Sequence, residues 1–172
     1  MSPRLIVLNG PPAVGKSTLA GRYADEHRPA LALDIDKVRA LIGGWREDPS
    51  GAGLAARELA VAAARAHLEA GHDVVVPQLL GRVEFLDRLE VLAQETGAAF
   101  HEIVLWDTKD EILRRFAERP PRPEHADTAP AEVAALYDRL ASLLEARSCA
   151  DVVQVSAGRV DDAYRAFLSC LD

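Results

Sequence analysis

Gly10-Pro11-Pro12-Ala13-Val14-Gly15-Lys16-Ser17, running into Thr18, is the stretch from which the rest of the chain is read. It fits G-x-x-x-x-G-K-[ST], the phosphate-binding P-loop or Walker A pattern. Before it, Leu5-Ile6-Val7-Leu8 is a short apolar run that reads as a buried strand. After it, Ser17 to Glu26 reads as a helix with Leu19, Ala20 and Tyr23 on one side. Strand, glycine loop and helix in that order are the context that separates this motif from an ordinary glycine-rich turn.

The residue types follow from the chemistry. Backbone N–H groups of such a loop and of the first helical turn converge on one point, with the positive end of the helix dipole behind them. Gly10 and Gly15 supply backbone angles and close approach that a side chain would prevent. Lys16 adds a mobile point charge for the β- and γ-phosphates, and Ser17 a hydroxyl for Mg²⁺, which keeps several waters and takes few protein ligands. Lysine occurs only at positions 16, 37 and 109 in a chain rich in arginine. A lysine placed here points to a need for a compact ammonium.

At 172 residues the chain suits one domain, or a core domain with a lid. Hydrophobic residues make up 49% and charged residues 27%, as in ordinary globular domains. A net charge of −7 argues against a broad surface for long nucleic acids or anionic membranes, while leaving room for a local basic site. Cys149 and Cys170 form no disulfide or zinc pattern, which suggests a reducing cytoplasm. Met1 to Arg4 lead straight into the first strand without the pattern of a secretory leader. The five histidines lack metal-ligand spacing.

Along the chain, Ala30 to Leu33, Asp73 to Val76, Ala98 to Trp106 and Val152 to Val155 read as further strands. Helices are expected over Lys37 to Ile42, Leu54 to Ala70, Val83 to Thr96, Thr108 to about Glu118, Pro130 to about Arg147 and Val160 to Leu171. Trp45 to Gly53 reads as a loop. On the long helix, Leu54, Leu59, Ala62, Ala63 and Leu68 form the expected apolar side. Strands alternating with helices predict a parallel sheet covered on both faces, an α/β fold in three α/β/α layers. Ligands of such sheets sit at the carboxyl ends of the strands, where the P-loop, Asp34, Asp36, Gln78 and Asp107 would gather.

Asp34 and Asp36 follow the second strand, and on an extended strand both would share a face. A carboxylate there can take the proton of an attacking hydroxyl, and either aspartate also suits capping of the next helix. Arg39 lies one helical turn beyond Asp36, placed to pair with it or to hold an acceptor. Gln78 stands after the third strand and reads as a contact to the acceptor or to a metal-bound water. Asp107 reads first as a helix start and second as a substitute Walker B carboxylate. Trp45 suits packing or the wall of an acceptor pocket. Arg114, Arg115, Arg119 and Arg122 precede or lie within a segment with prolines at 120, 121, 123 and 130, where a lid would fold over phosphates. Arg119 and Arg122 are the stronger candidates, because they flank Pro120-Pro121. Arginine binds phosphate bidentately and would stabilise the transferring group.

With these pieces in place, the chain resembles the small P-loop kinases and phosphotransferases that include chloramphenicol 3-O-phosphotransferase, gluconate kinase and the zeta-toxin-like kinases. The resemblance rests on Leu5 to Thr18, on Asp36-x-x-Arg39 after a strand, on Gly71 to Val76, and on the arginines before the proline-rich segment. It implies a five-stranded sheet ordered 2-3-1-4-5, ATP with Mg²⁺ as donor, and a small-molecule hydroxyl as acceptor, to which the chain's own reading adds a single kinase domain over residues 1–172 with a lid at about 115–130. It also implies that Asp36 faces that hydroxyl. The chain departs from the pattern at Pro77-Gln78, where such kinases often carry an aspartate. The resulting expectation is a kinase with Lys16, Asp36, Arg119 and Arg122 as catalytic residues and residues 10–18 as the nucleotide site. Ser17 would be the metal ligand, and Asp34, Arg39 and Gln78 the acceptor contacts. A nucleotide or polynucleotide 5′-kinase and a non-catalytic nucleotide-dependent switch are the alternatives.

Overall fold

A computed structural model describes residues 2–120, 128–146 and 150–172. The strands are β1 (Arg4–Asn9), β2 (Leu31–Ala32), β3 (Val74–Pro77), β4 (Ala99–Trp106) and β5 (Asp151–Gln154). The helices are α1 (Lys16–Glu26), α2 (Ile35–Ala40), α3 (Pro49–Glu69), α4 (Val83–Thr96), α5 (Lys109–Glu118), α6 (Pro130–Ala146) and α7 (Val160–Ser169). All strand pairs are parallel, in the order β2-β3-β1-β4-β5. The chain therefore has the five-stranded parallel sheet, flanked by helices, of the P-loop kinase fold.

Strand β1 is central and buried on both sides, which explains why it reads as an unbroken apolar run. Alternate residues leave by opposite faces. Ile6 and Leu8 join Leu19, Tyr23, Tyr164 and Phe167, beneath α1 and α7. Leu5 and Val7 join Ala60, Leu68, Leu86 and Leu89, beneath α3 and α4. In register, Leu8 lies beside Pro77 and Asn9 beside Val104, so the strand ends at Asn9, Pro77 and Trp106 open on a common edge.

Two helix boundaries differ from the sequence reading for one reason. Asp34 caps α2, so the helix begins at Ile35 and places Asp36 in its first turn, not on an extended strand. Asp48 caps α3, accepting from the Gly51 N–H, and Pro49 occupies the first helical position that suits proline. What looks like loop composition up to Gly53 is thus the first turn of a 21-residue helix. Its buried side also differs. Ala52, Ala56, Ala60, Ala64 and Leu68 face the core, while Leu54 is 63% exposed and Leu59 54% exposed. Ala62 and Ala63 are exposed as well. An alanine every fourth residue lets the helix backbone lie close, and a leucine there would hold it away.

Candidate active site

The P-loop is built from its glycines outward. Gly10 has φ +146°, and a Cβ there would stand 2.6 Å from the Leu105 carbonyl oxygen and 2.9 Å from Val14 Cγ1. Gly15 precedes α1 at φ +108°. Ala13 also takes a positive φ of 62°, uncommon outside glycine. Among the described residues α1 has no side-chain cap, and its first turn holds no acidic residue. Its leading N–H groups are left to the cleft, as an anion-binding helix start requires. The Lys16 ammonium donates to the carbonyls of Gly10 and Pro11, both at 2.8 Å, and so lies folded over the loop.

Behind the loop stands Asn9, only 1% exposed and not singled out by the sequence. Its carbonyl oxygen accepts from the N–H groups of Gly10 (2.8 Å) and Leu80 (2.9 Å), and its amide donates to the Leu80 carbonyl (3.0 Å). One buried side chain thereby ties the P-loop to the segment that carries Gln78. The signal was a polar residue closing an apolar strand.

A cleft of about 730 Å³ opens above this edge. Lys16, Ser17 and Thr18 line it with Pro12, Ala13 and Gly15, whereas Pro11 and Val14 are turned inward and buried. Asp34, Asp36, Arg39, Trp45 and Gln78 form the wall on one side, and Arg115, Phe116 and Arg119 approach on another. The cleft therefore brings together Asp34, Asp36, Arg39, Gln78, Arg119 and six of the nine residues from Gly10 to Thr18, while Asp107 is not in its lining. Arg122 lies outside the described residues, as do residues 121–127 of the expected lid.

The two aspartates occupy different places. One Asp34 oxygen accepts from the N–H groups of Asp36 (3.1 Å) and Lys37 (3.4 Å); the other accepts from the Ser17 hydroxyl at 3.5 Å. Asp34 thus sits on the P-loop side, where hard oxygen ligands of a divalent cation would be needed. Asp36 faces the other way. One of its oxygens is 3.5 Å from the Arg39 guanidinium, and the other accepts from the Gln78 amide at 3.4 Å. Arg39 lies 5.3 Å from the Trp45 ring centre.

At the third wall Arg115 is held by Asp107 and, at 3.0 Å, by Glu111. The Tyr137 hydroxyl donates to the Asp107 carbonyl at 2.9 Å. Asp107 therefore anchors an arginine, while Thr108 caps α5. Paired with Arg114 and Arg115, the Glu111 carboxyl is pulled down to about 2, so it remains ionised. Arg114 spends its donors on Glu111 and Glu118 at the surface. Arg119 lies 4.9 Å from the Phe116 ring centre. The pairing of Arg115 and Arg119 in the cleft follows from their spacing of one helical turn.

A second cavity of about 310 Å³ adjoins the P-loop and was not anticipated. Val14, Leu19, Val155, Ala157 and Val160 give it an apolar lining, with Ser156 and Gly158 from the turn after β5. Arg115 borders both cavities. The turn after the last strand was its only trace in the sequence.

Fold and cleft define a P-loop nucleotide-binding protein of the kinase type. The chain belongs to the AAA domain family (AAA_33), whose model matches residues 5–144. No curated protein matches it in sequence. Among solved structures it is similar to a gluconokinase from Sinorhizobium meliloti 1021, at 18% identity and TM-score 0.66, covering 99% of this chain and 92% of that one. A kinase-like protein from Chloroflexus aurantiacus j-10-fl aligns over 100% of both chains, at 20% identity and TM-score 0.74. A tunicamycin resistance protein from Deinococcus radiodurans aligns at 19% identity and TM-score 0.62, covering 97% and 95%. At such identities these likenesses speak for the fold.

Proposed function

We propose that this chain is an ATP- and Mg²⁺-dependent kinase that phosphorylates a hydroxyl group of a small molecule. The observation that carries the reading is the placement of the Asp36 carboxylate in the same cleft as Lys16 and Ser17, with Arg39 and Gln78 on its two oxygens. The site suits the donor: the Gly10 cradle admits no side chain, the α1 start is uncapped, and Ser17 and Asp34 offer adjacent hard oxygens. Bound magnesium would neutralise charge on the phosphate oxygens.

In this reading the loop amides and Lys16 hold the phosphates, and the apolar second cavity receives the base. Ser17 and Asp34 hold the metal directly or through its waters. Arg39 and Gln78 aim the Asp36 carboxylate at the acceptor. As the acceptor oxygen bonds to the γ-phosphorus and the bridging oxygen departs with ADP, the hydroxyl proton passes to Asp36. Arg115 and Arg119 offer guanidinium charge to the transferring group, with Arg122 in reserve on the adjoining segment. The chain would work as one kinase domain in the cytoplasm. Among the described residues, no helix is long and apolar enough to cross a membrane.

Asp36→Asn tests the assignment. ATP affinity, measured by calorimetry with magnesium, should stay within about twofold, while transfer falls by about 10²–10⁴. Transfer that survives the change would remove Asp36 as base.

A further inference from the structure

Gln78 holds a feature that its contact with Asp36 does not use. Its amide nitrogen donates toward the carboxylate at 3.4 Å, while its Oε1 is buried and has no hydrogen-bond partner. The reverse amide orientation would set Oε1 against the carboxylate, acceptor facing acceptor, so the chemistry fixes which end is left over. A buried carbonyl oxygen without a donor is costly in a finished protein and is met in sites that await one. Gln78 lines the cleft beside Asp36, Trp45, Pro49 and Leu79. A turn of the Gln78 amide about its terminal bond would bring that oxygen to the cleft its side chain already lines, where a molecule entering could supply the donor.

Building on the kinase reading, we infer that the acceptor is a vicinal diol or amino alcohol, and that Gln78 Oε1 reads the donor next to the reacting hydroxyl. The two ends of one planar amide are separated by a single carbon. With its nitrogen committed to the Asp36 carboxylate, its oxygen lies a short step away from the base. A substrate whose hydroxyl donates to Asp36 thus presents a hydroxyl or amine on the neighbouring carbon to Oε1. Trp45, Pro49 and Leu79 offer apolar surface to the carbon frame that joins the two groups. A monofunctional alcohol would satisfy Asp36 and leave the Gln78 oxygen stranded, at the cost that an unpaired buried acceptor carries.

The test begins with the intact protein, labelled ATP and magnesium, and a library of hexoses, cyclitols, amino sugars, aminocyclitols and simple monohydric alcohols. Each compound phosphorylated is then compared with its analogue in which the neighbouring donor is replaced by hydrogen, in the wild-type protein and in Gln78→Met. In the wild type, loss of the neighbouring donor should lower kcat/KM by about 10–100-fold, mostly through KM. In Gln78→Met all acceptors should slow, because Asp36 loses a positioning contact, but the ratio within each pair should shrink to about threefold or less. Ligand-observed NMR in the presence of ADP and magnesium should show the same discrimination in binding. Monohydric alcohols used as well as their vicinal partners, or a ratio unchanged in Gln78→Met, would overturn this inference and leave the kinase reading standing. No transfer to any hydroxyl compound would overturn both.

Discussion

At the scale of single residues the P-loop glycines are not equivalent. A methyl group at Gly10 meets a backbone carbonyl at 2.6 Å, which cannot rotate away, whereas nothing lies within 4 Å of a Cβ at Gly15. Gly10→Ala adds overpacking to an unfavourable backbone angle and should cost about 3–5 kcal/mol. Gly15→Ala carries only the backbone strain of φ +108° and should cost about 1–2 kcal/mol. Urea titrations of the two variants check the order; equal losses would mean that the Leu105 carbonyl yields. The residues of this loop were legible in the sequence because each answers to local chemistry. Asn9 was not, since its importance arises from a partner 71 positions away that only the folded chain brings near; Arg115 was legible as one of the lid arginines, but its anchor at Asp107 was not.

Among the elements, α3 shows where sequence reasoning fails. Hydrophobicity favours its leucines, yet packing against the sheet and α4 favours the stripe of alanines, because distance between backbones is fixed by the smallest residue at the contact. Ala64 is fully buried, so Ala64→Leu should overpack and destabilise by about 1–3 kcal/mol. Leu59→Ala should change stability by no more than about 0.5 kcal/mol, since that side chain is already more than half exposed and alanine is the better helix former. Chemical denaturation would settle the pair, and the reverse ranking would refute this account of the helix. By contrast, α4 runs from Val83 to Thr96 as its spacing predicts, with Phe85, Leu86, Leu89 and Leu92 inward and Gly97 ending it at φ +69°. Large side chains and a glycine stop give an unambiguous pattern; small side chains on a long helix do not.

For the whole molecule, the edge of the sheet opposite the cleft is tied together by Tyr23, whose hydroxyl donates to Asp73 at 2.6 Å, while Asp73 also accepts from the Arg4 N–H at 2.8 Å. Burial, reinforced by the Asp73 carboxylate, pushes the Tyr23 phenol up to about 12. Tyr164 is raised to about 12 in the same way, by burial and by Glu26. A phenol that ionises near 10 when unfolded and near 12 when folded stabilises the fold fully below pH 10, and that contribution fades between pH 10 and 12. For Tyr23 it amounts to about 3 kcal/mol. Urea midpoints measured from pH 9 to 12 should fall along this window, and Tyr23→Phe should remove about half of the slope; an unchanged slope would exclude this tyrosine as its source. The parallel sheet was legible from alternation and the order of its strands only from the resemblance, whereas the place of Pro49 in the cleft wall was not, because it depends on where α3 begins.

That wall has a consequence for how such a protein diversifies. The stretch from Gly43 to Asp48 is pinned between the short capped helix α2 and the long capped helix α3 and contributes nothing to the two buried clusters. The phosphate-handling half, in contrast, is cut into the central strand itself. Selection can therefore rewrite the socket that greets the guest molecule, residue by residue, while the motor beside it keeps the same parts.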